Sequence, residues 1–202
     1  MPSYRSTGVI VEGSDINARI AQRVRDLRNT RGYTLDALAS RCGVSRSMIS
    51  SIERAASSPT ATVLERIAAG LDVSLASLFD GELAGAPVEP LVRASRQAEW
   101  RDPDTGYTRR LLTPPNWRSP LKLVEVVVPA GARVAYESVE RETTVHQQIW
   151  VLQGQIDIVV GNERHSLGKG DCLAMTLNQH LVFSNLSTSP ARYLVAVTDA
   201  SS

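Results

Sequence analysis

Two groups of side chains in this sequence of 202 residues have types and spacing that could do chemistry. The first is a hydroxyl- and guanidinium-rich run: Ser45, Arg46, Ser47, Ser50, Ser51 and Arg54, with Ser57 and Ser58 behind it. A guanidinium can grip guanine O6 and N7 through two hydrogen bonds, worth about 1–3 kcal/mol of discrimination between bases. Serine hydroxyls bond to several bases and specify little, but they and Arg54 suit phosphates, which position a protein without identifying a sequence. The second group is His146, His165 and His180. Imidazole and carboxylate hold transition metals only where several converge. No Ser/His/Asp or Cys/His arrangement has catalytic spacing. The two cysteines, Cys42 and Cys172, are far apart and form neither a disulfide framework nor a zinc pattern.

The polar run needs a rigid carrier, and the surrounding residues supply one. Thr34 precedes Leu35, Leu38 and Ala39, an apolar face at helical spacing with an N-cap before it. Gly43 breaks that pattern where a left-handed residue would end a helix. Ser45 then caps a second short helix, in which Ile49 and Ile52 face inward while Arg46, Ser47, Ser50 and Ser51 face out. Two short helices joined by a tight glycine turn make a helix-turn-helix, whose second helix enters the DNA major groove. The residues Thr34, Leu35, Leu38, Ala39, Gly43, Val44, Ser45, Ile49, Ser50, Ile52 and Glu53 follow the Cro/C1-type (XRE-like) pattern. This stretch therefore resembles that family of DNA-binding domains. The resemblance implies that Arg28, late in the first helix, pairs with Glu53 and fixes how the recognition helix projects.

Around this motif the pattern predicts five short helices. The first starts near Ile16 after Asp15 and buries Ile20, Val24 and Leu27. A later helix buries Val63, Leu64, Ile67 and Ala68 and stops at Gly70, and Ser74 caps a last one with Leu75, Leu78 and Phe79. Arg46 and Ser47 fall where base edges are met, and Ser51 follows one turn on. Ser45, Ser50, Arg54, Ser57 and Ser58 fall where phosphates would lie.

The composition, 43% hydrophobic and 21% charged, is that of a globular chain. A net charge of +1 argues neither for nor against nucleic acid, because a DNA surface needs local charge. No apolar run approaches the roughly 20 residues of a membrane span. The start lacks a secretory plan, so a cytoplasmic location is expected. From Gly81 to Pro90 the chain is rich in Gly, Ala and Pro, and strands follow. Leu121–Val128, Val145–Val151, Gln155–Val160, Arg164–Leu167, Cys172–Met175, Leu181–Ser184 and Tyr193–Thr198 read as strands, with Gly161-Asn162 as a hairpin turn.

This half resembles the cupins, through Pro129-Ala130-Gly131, Trp150 to Gly154, Leu167 to Asp171 and Asn185. The resemblance implies a double-stranded β-helix, a jelly-roll barrel with a central pocket. It also implies where a metal would be held, and there the chain departs from the pattern. The Glu position is Gln147, the first His pair falls near Glu140 and Glu142, and the last His position is Leu181. Gln and Leu do not replace a carboxylate and an imidazole. His146 and His180 each stand one residue away, on the opposite face of a strand.

The expected organisation is a flexible arm (1–15), a helix-turn-helix domain (16–80), a linker (81–90) and a cupin-like sensor and dimerisation domain (91–202). The expected function is a sequence-specific DNA-binding transcriptional regulator, not an enzyme, acting as a homodimer on double-stranded DNA. Its barrel would bind a small-molecule effector without a metal or other cofactor, lined by Tyr136, Glu142, Gln147, Ile149, Val151 and Met175. The alternative is a metal-dependent cupin oxygenase or isomerase with an appended DNA-binding domain.

Overall fold

A computed structural model describes residues 13–80, 88–117, 119–137 and 141–198. The helical half has four α-helices: α1 (Gly13–Thr30), α2 (Leu35–Cys42), α3 (Arg46–Glu53) and α4 (Ala61–Gly70). Caps set three of the starts. Thr34, Ser45 and Thr60 are extended, and each hydroxyl accepts from the backbone N–H three residues on. Gly43 ends α2 in the left-handed region at φ 65°, with its N–H on Ala39 O.

The expected count of five helices is corrected to four. The stretch capped by Ser74 is a 3-10 turn, Leu75–Leu78. Its bonds close over three residues, Ser77 N to Ser74 O and Phe79 N to Ala76 O, and it is too short to continue as an α-helix. The first helix also starts earlier than Ile16, at Gly13. The expected arm therefore ends before Gly13, and its residues 1–12 lie outside the described ones, as do 81–87 of the expected linker.

The second half holds ten strands: β1 (Glu99–Arg101), β2 (Thr108–Leu111), β3 (Leu121–Val128), β4 (Arg133–Tyr136), β5 (His146–Gln153), β6 (Ile156–Val160), β7 (Glu163–Leu167), β8 (Cys172–Thr176), β9 (Leu181–Ser184) and β10 (Ala191–Thr198). They form a six-stranded sheet, β1-β2-β3-β10-β5-β8, and a four-stranded sheet, β4-β9-β6-β7. Every pairing is antiparallel. Alternation puts Val124, Val126 and Val128 of β3 and Tyr193, Val195 and Val197 of β10 on one buried face. Phe183 of β9 stacks on Tyr193, ring centroids 6.2 Å apart, which joins the two sheets through one core. Gly154 lies where a Cβ would stand 2.7 Å from Pro190 O, so the turn after β5 needs glycine.

The halves are docked on one another. Phe79 packs against Trp100 of β1, centroids 5.6 Å apart. Thr62 Oγ1 at the start of α4 donates to Ala135 O of β4 at 3.1 Å. Two nearly enclosed ion pairs cross the boundary, Lys122–Asp80 and Arg141–Glu65. Asp72 accepts from the backbone N–H groups of Glu142 and Thr143 and from the Thr143 hydroxyl.

Candidate nucleic-acid interface and barrel cavity

Helix α3 presents one polar face and buries the other. Ile49, Ile52 and Glu53 are enclosed, while Arg46, Ser47 and Met48 of the first turn are exposed. The geometry is fixed from beneath. Arg28 Nε and Nη2 of α1 grip the two Glu53 oxygens at 2.6 and 2.9 Å, and Arg28 Nη1 donates to Tyr33 O at 2.9 Å. The Glu53 carboxylate raises the Arg28 pKa further above its ordinary range, so the fork stays charged. Arg25 donates to the Glu53 backbone oxygen. The helix is thus bolted to α1 at its C-terminal end, while the side chains of its first turn are exposed.

The polar side chains along α3 hold one another. Ser45 and Ser47 hydroxyls lie 3.1 Å apart, and Arg54 donates to Ser50 Oγ at 2.7 Å. Arg46 Nε stands 3.4 Å from Asp36 of α2, with its side chain still 62% exposed. Ser51 is half-buried. Ser58 accepts from Asn17 of α1 at 3.1 Å. Ser57 Oγ is enclosed without a partner, which takes it off the surface a phosphate would touch.

A small cavity lies at the boundary of the two halves. The β half contributes Arg109, Tyr136, Gln147, Leu181, Phe183 and Tyr193, and the helical half closes it with Glu65 of α4 and Ser74, Leu75 and Ala76. Tyr107 and Tyr136 hydroxyls lie 3.1 Å apart, and Arg109 Nη1 donates to Tyr107 Oη at 3.4 Å. Burial pushes both the Tyr136 and the Tyr193 phenols well above their ordinary value, so they stay protonated. A larger open groove of about 350 Å³ runs along the four-stranded sheet, but its Asp157 and Arg164 are paired at 3.0 Å.

The comparisons with known proteins address both halves. Residues 24–78 match the HTH_3 helix-turn-helix family. Residues 24–78 are an XRE-like helix-turn-helix domain. Over a longer span the chain is 26% identical to the HTH-type transcriptional regulator SutR of Escherichia coli (strain K12), across 166 residues, 82% of this chain and 86% of that protein. It is 44% identical over 62 residues to the HTH-type transcriptional regulator SinR of Bacillus subtilis (strain 168), 30% of this chain and 56% of that protein. The crystal structure of an HTH_3 family transcriptional regulator from Vibrio cholerae superposes with a TM-score of 0.73 at 25% identity, covering 94% of this chain and 100% of that one. With its all-β second half, the chain fits an XRE-like helix-turn-helix regulator with a cupin domain.

The β half places the expected pocket residues unequally. Tyr136 and Gln147 line the cavity. Ile149, Val151 and Met175 are buried on the six-stranded sheet and do not line this cavity. Glu142 is exposed and pairs with Arg41 of the helix-turn-helix domain at 2.6 Å, because the loop carrying it is drawn outward by Asp72. Glu142 does not line this cavity.

The metal positions do not fit a metal. Gln147 and Leu181 both reach the cavity, and neither is a strong ligand. Glu140 lies outside the described residues, and His146 and His180 are exposed. His165 faces Glu163 at 3.7 Å on β7. Among the described residues no three His, Cys, Asp or Glu side chains converge as metal ligands would.

Sequence reading missed three residues of these sites. Met48 is 40% exposed in the first turn of α3, an apolar side chain beside Arg46 and Ser47. Its one signal was an unbranched apolar residue on an otherwise polar face. Arg109 and Glu65 were missed because local pattern shows nothing of a cavity that two distant segments build together.

Proposed function

We propose that this protein is a sequence-specific transcriptional regulator that reads DNA with α3 and senses a small molecule in its cupin half. The observation that carries the first part is the α3 N-terminus: Arg46, Ser47 and Met48 stand clear of the protein on a helix clamped by Arg28–Glu53. That is the presentation a major-groove reader needs. Ser51 follows one turn on along the reading face, and Ser45, Ser50, Arg54 and Ser58 flank it as phosphate contacts. The relatives named as transcriptional regulators support the same reading.

The sensing part is supported by the cavity, whose wall comes from both halves. The barrel is read as a jelly roll that holds no metal and catalyses nothing, since its ligand positions carry Gln147 and Leu181. The helical unit, to Asp80, is the reading head and residues 91–202 are the sensor. The protein acts in the cytoplasm as a homodimer paired through its β half, so that two heads read half-sites about 34 Å or a multiple of that apart.

The test is protection of upstream DNA by the full-length protein across a salt series. Binding should fall steeply with salt as phosphate contacts release counterions. Failure to protect any upstream fragment even at low salt would overturn the regulator. Elemental analysis finding about one transition-metal ion per chain would overturn the metal-free sensor, and light scattering showing a monomer at working concentration would overturn the dimer.

A further inference from the structure

Arg109 occupies a place where a cation is costly. It lies on β2 in a row that crosses the six-stranded sheet: Trp100, Arg109, Val126, Tyr193, Val151. Its four companions are buried and none is charged. The Arg109 residue is itself 9% exposed. Arginine does not give up its proton inside a protein, so the charge stays. Buried cations normally lie against carboxylates, and the others here do: Arg28 with Glu53, Lys122 with Asp80, Arg141 with Glu65. Among the described residues Arg109 has no carboxylate partner. Its hydrogen bond goes to the Tyr107 hydroxyl at 3.4 Å, and its Nε has none.

We propose that the cavity between the two halves binds a small apolar monocarboxylate, whose carboxylate pairs with Arg109. This rests on the effector-sensing reading and narrows the effector to a chemical class. The charge follows from the lining. Glu65, the carboxylate on the wall, is already held by Arg141, so one positive charge is left over and one negative charge balances it. The planar guanidinium fork, whose Nε is enclosed and without a partner among the described residues, matches a carboxylate in two-point geometry. The remaining wall of Leu177, Leu181, Phe183, Tyr193 and Leu75 suits a short apolar tail.

Size links binding to the reading head. The cavity offers about 30 Å³ to the centre of a water-sized sphere, room for about two waters or one carboxylate group. A tail beyond that group must displace Leu75 and Ala76, which sit between α4 and the barrel. A ligand that binds the displaced arrangement more tightly shifts the population toward it.

The experiment is a thermal-shift and calorimetric titration of the full chain with sodium benzoate and sodium butyrate. Benzamide and butyramide serve as neutral isosteres, sodium chloride as the salt control and inorganic phosphate as the alternative anion. At least one carboxylate should raise the unfolding midpoint saturably, with the amides and the salt without effect. Arg109→Gln, checked for native circular dichroism, should lose at least tenfold in affinity, and Arg109→Lys should keep part of it. Should Arg109→Gln not fold, competition on the wild-type protein decides. Butyrate must displace carboxyl-labelled benzoate seen by NMR, and butyramide must not. Equal shifts from acids and amides, a shift that survives Arg109→Gln, or a response to phosphate alone overturns the carboxylate while effector sensing stands. A mixed library of neutral and charged compounds without a single stabilising member overturns effector sensing itself.

Discussion

Glu53 is a carboxylate almost wholly enclosed at the C-terminal end of α3, tolerated because Arg28 meets both of its oxygens. A pair of this kind adds little net stability, yet removing one partner strands the other's charge, at about 3–5 kcal/mol. Arg28→Ala and Glu53→Ala should each lower the urea midpoint of the helix-turn-helix domain strongly. The double variant should lose clearly less than the two losses added together. Strict additivity in a double-mutant cycle would show that the fork is not the coupled unit described. The two cysteines give a second residue-scale expectation. Burial pushes the Cys42 thiol up and encloses it, while Cys172 on edge strand β8 is exposed. A thiol reagent at neutral pH should therefore label Cys172 alone in the native protein and both after denaturation. Rapid native labelling of Cys42 would contradict its enclosure.

At the scale of elements, α3 and its supports carry separable jobs. Arg46→Ala should relax sequence preference at one position, whereas Arg54→Ala should weaken binding evenly and flatten the salt slope. Binding-site selection with each variant distinguishes the two, and an unchanged preference for Arg46→Ala would misplace the reading face. Helix α4 meets α2 at close range through Gly70, where an added Cβ would stand 2.7 Å from Cys42 Cβ and 3.2 Å from its backbone N. The backbone of α2 cannot yield as a side-chain tip could. Gly70→Ala should cost about 1–3 kcal/mol by overpacking, despite alanine's better helix propensity. Chemical denaturation reads the sign, and a stabilised variant would mean that the two helices separate freely.

For the whole molecule, the tie between the helical half and the β half decides whether the two unfold together. Arg141 is 3% and Glu65 13% exposed in their side chains, and Lys122 and Asp80 are nearly as enclosed. Arg141 also donates to Val73 O at 2.7 Å, so one residue holds α4 and the turn after it. Arg141→Ala leaves Glu65 stranded against the barrel. Calorimetry should then show the helical half unfolding ahead of the β half, where the wild type unfolds in one step. An unchanged single transition would mean that the halves are held by apolar packing such as Phe79 on Trp100. The same docking bears on the expected partner face. Trp100 of β1 is covered by the chain's own helical half, which leaves the rest of the β half for contact between two copies.

The sequence by itself determined whatever is encoded within one or two turns. Thr34, Ser45 and Thr60 cap helices because a hydroxyl answers a backbone N–H three residues away, and no distant residue is needed. Strand β3 runs from Leu121 to Val128, as its bounds read in the sequence, because β-branched residues there leave no competing pattern. The hairpin at Gly161-Asn162 joins β6 and β7 for a similarly local reason, glycine at φ 59°. Other features depended on partners far along the chain. Strands β1 and β2 are three and four residues long and rich in charge, too little for periodicity to register. Nothing local in Thr108-Arg109-Arg110-Leu111 tells which of the two arginines is enclosed. Pairing of Arg109 with Val126 turns it into the barrel, while Arg110 turns out to Glu125. Glu65 reads as the polar side of a helix until Arg141 and the barrel close over it. Periodicity tells which residues share a face, but what covers that face is decided by long-range packing, and so the cavity belongs to the tertiary structure alone.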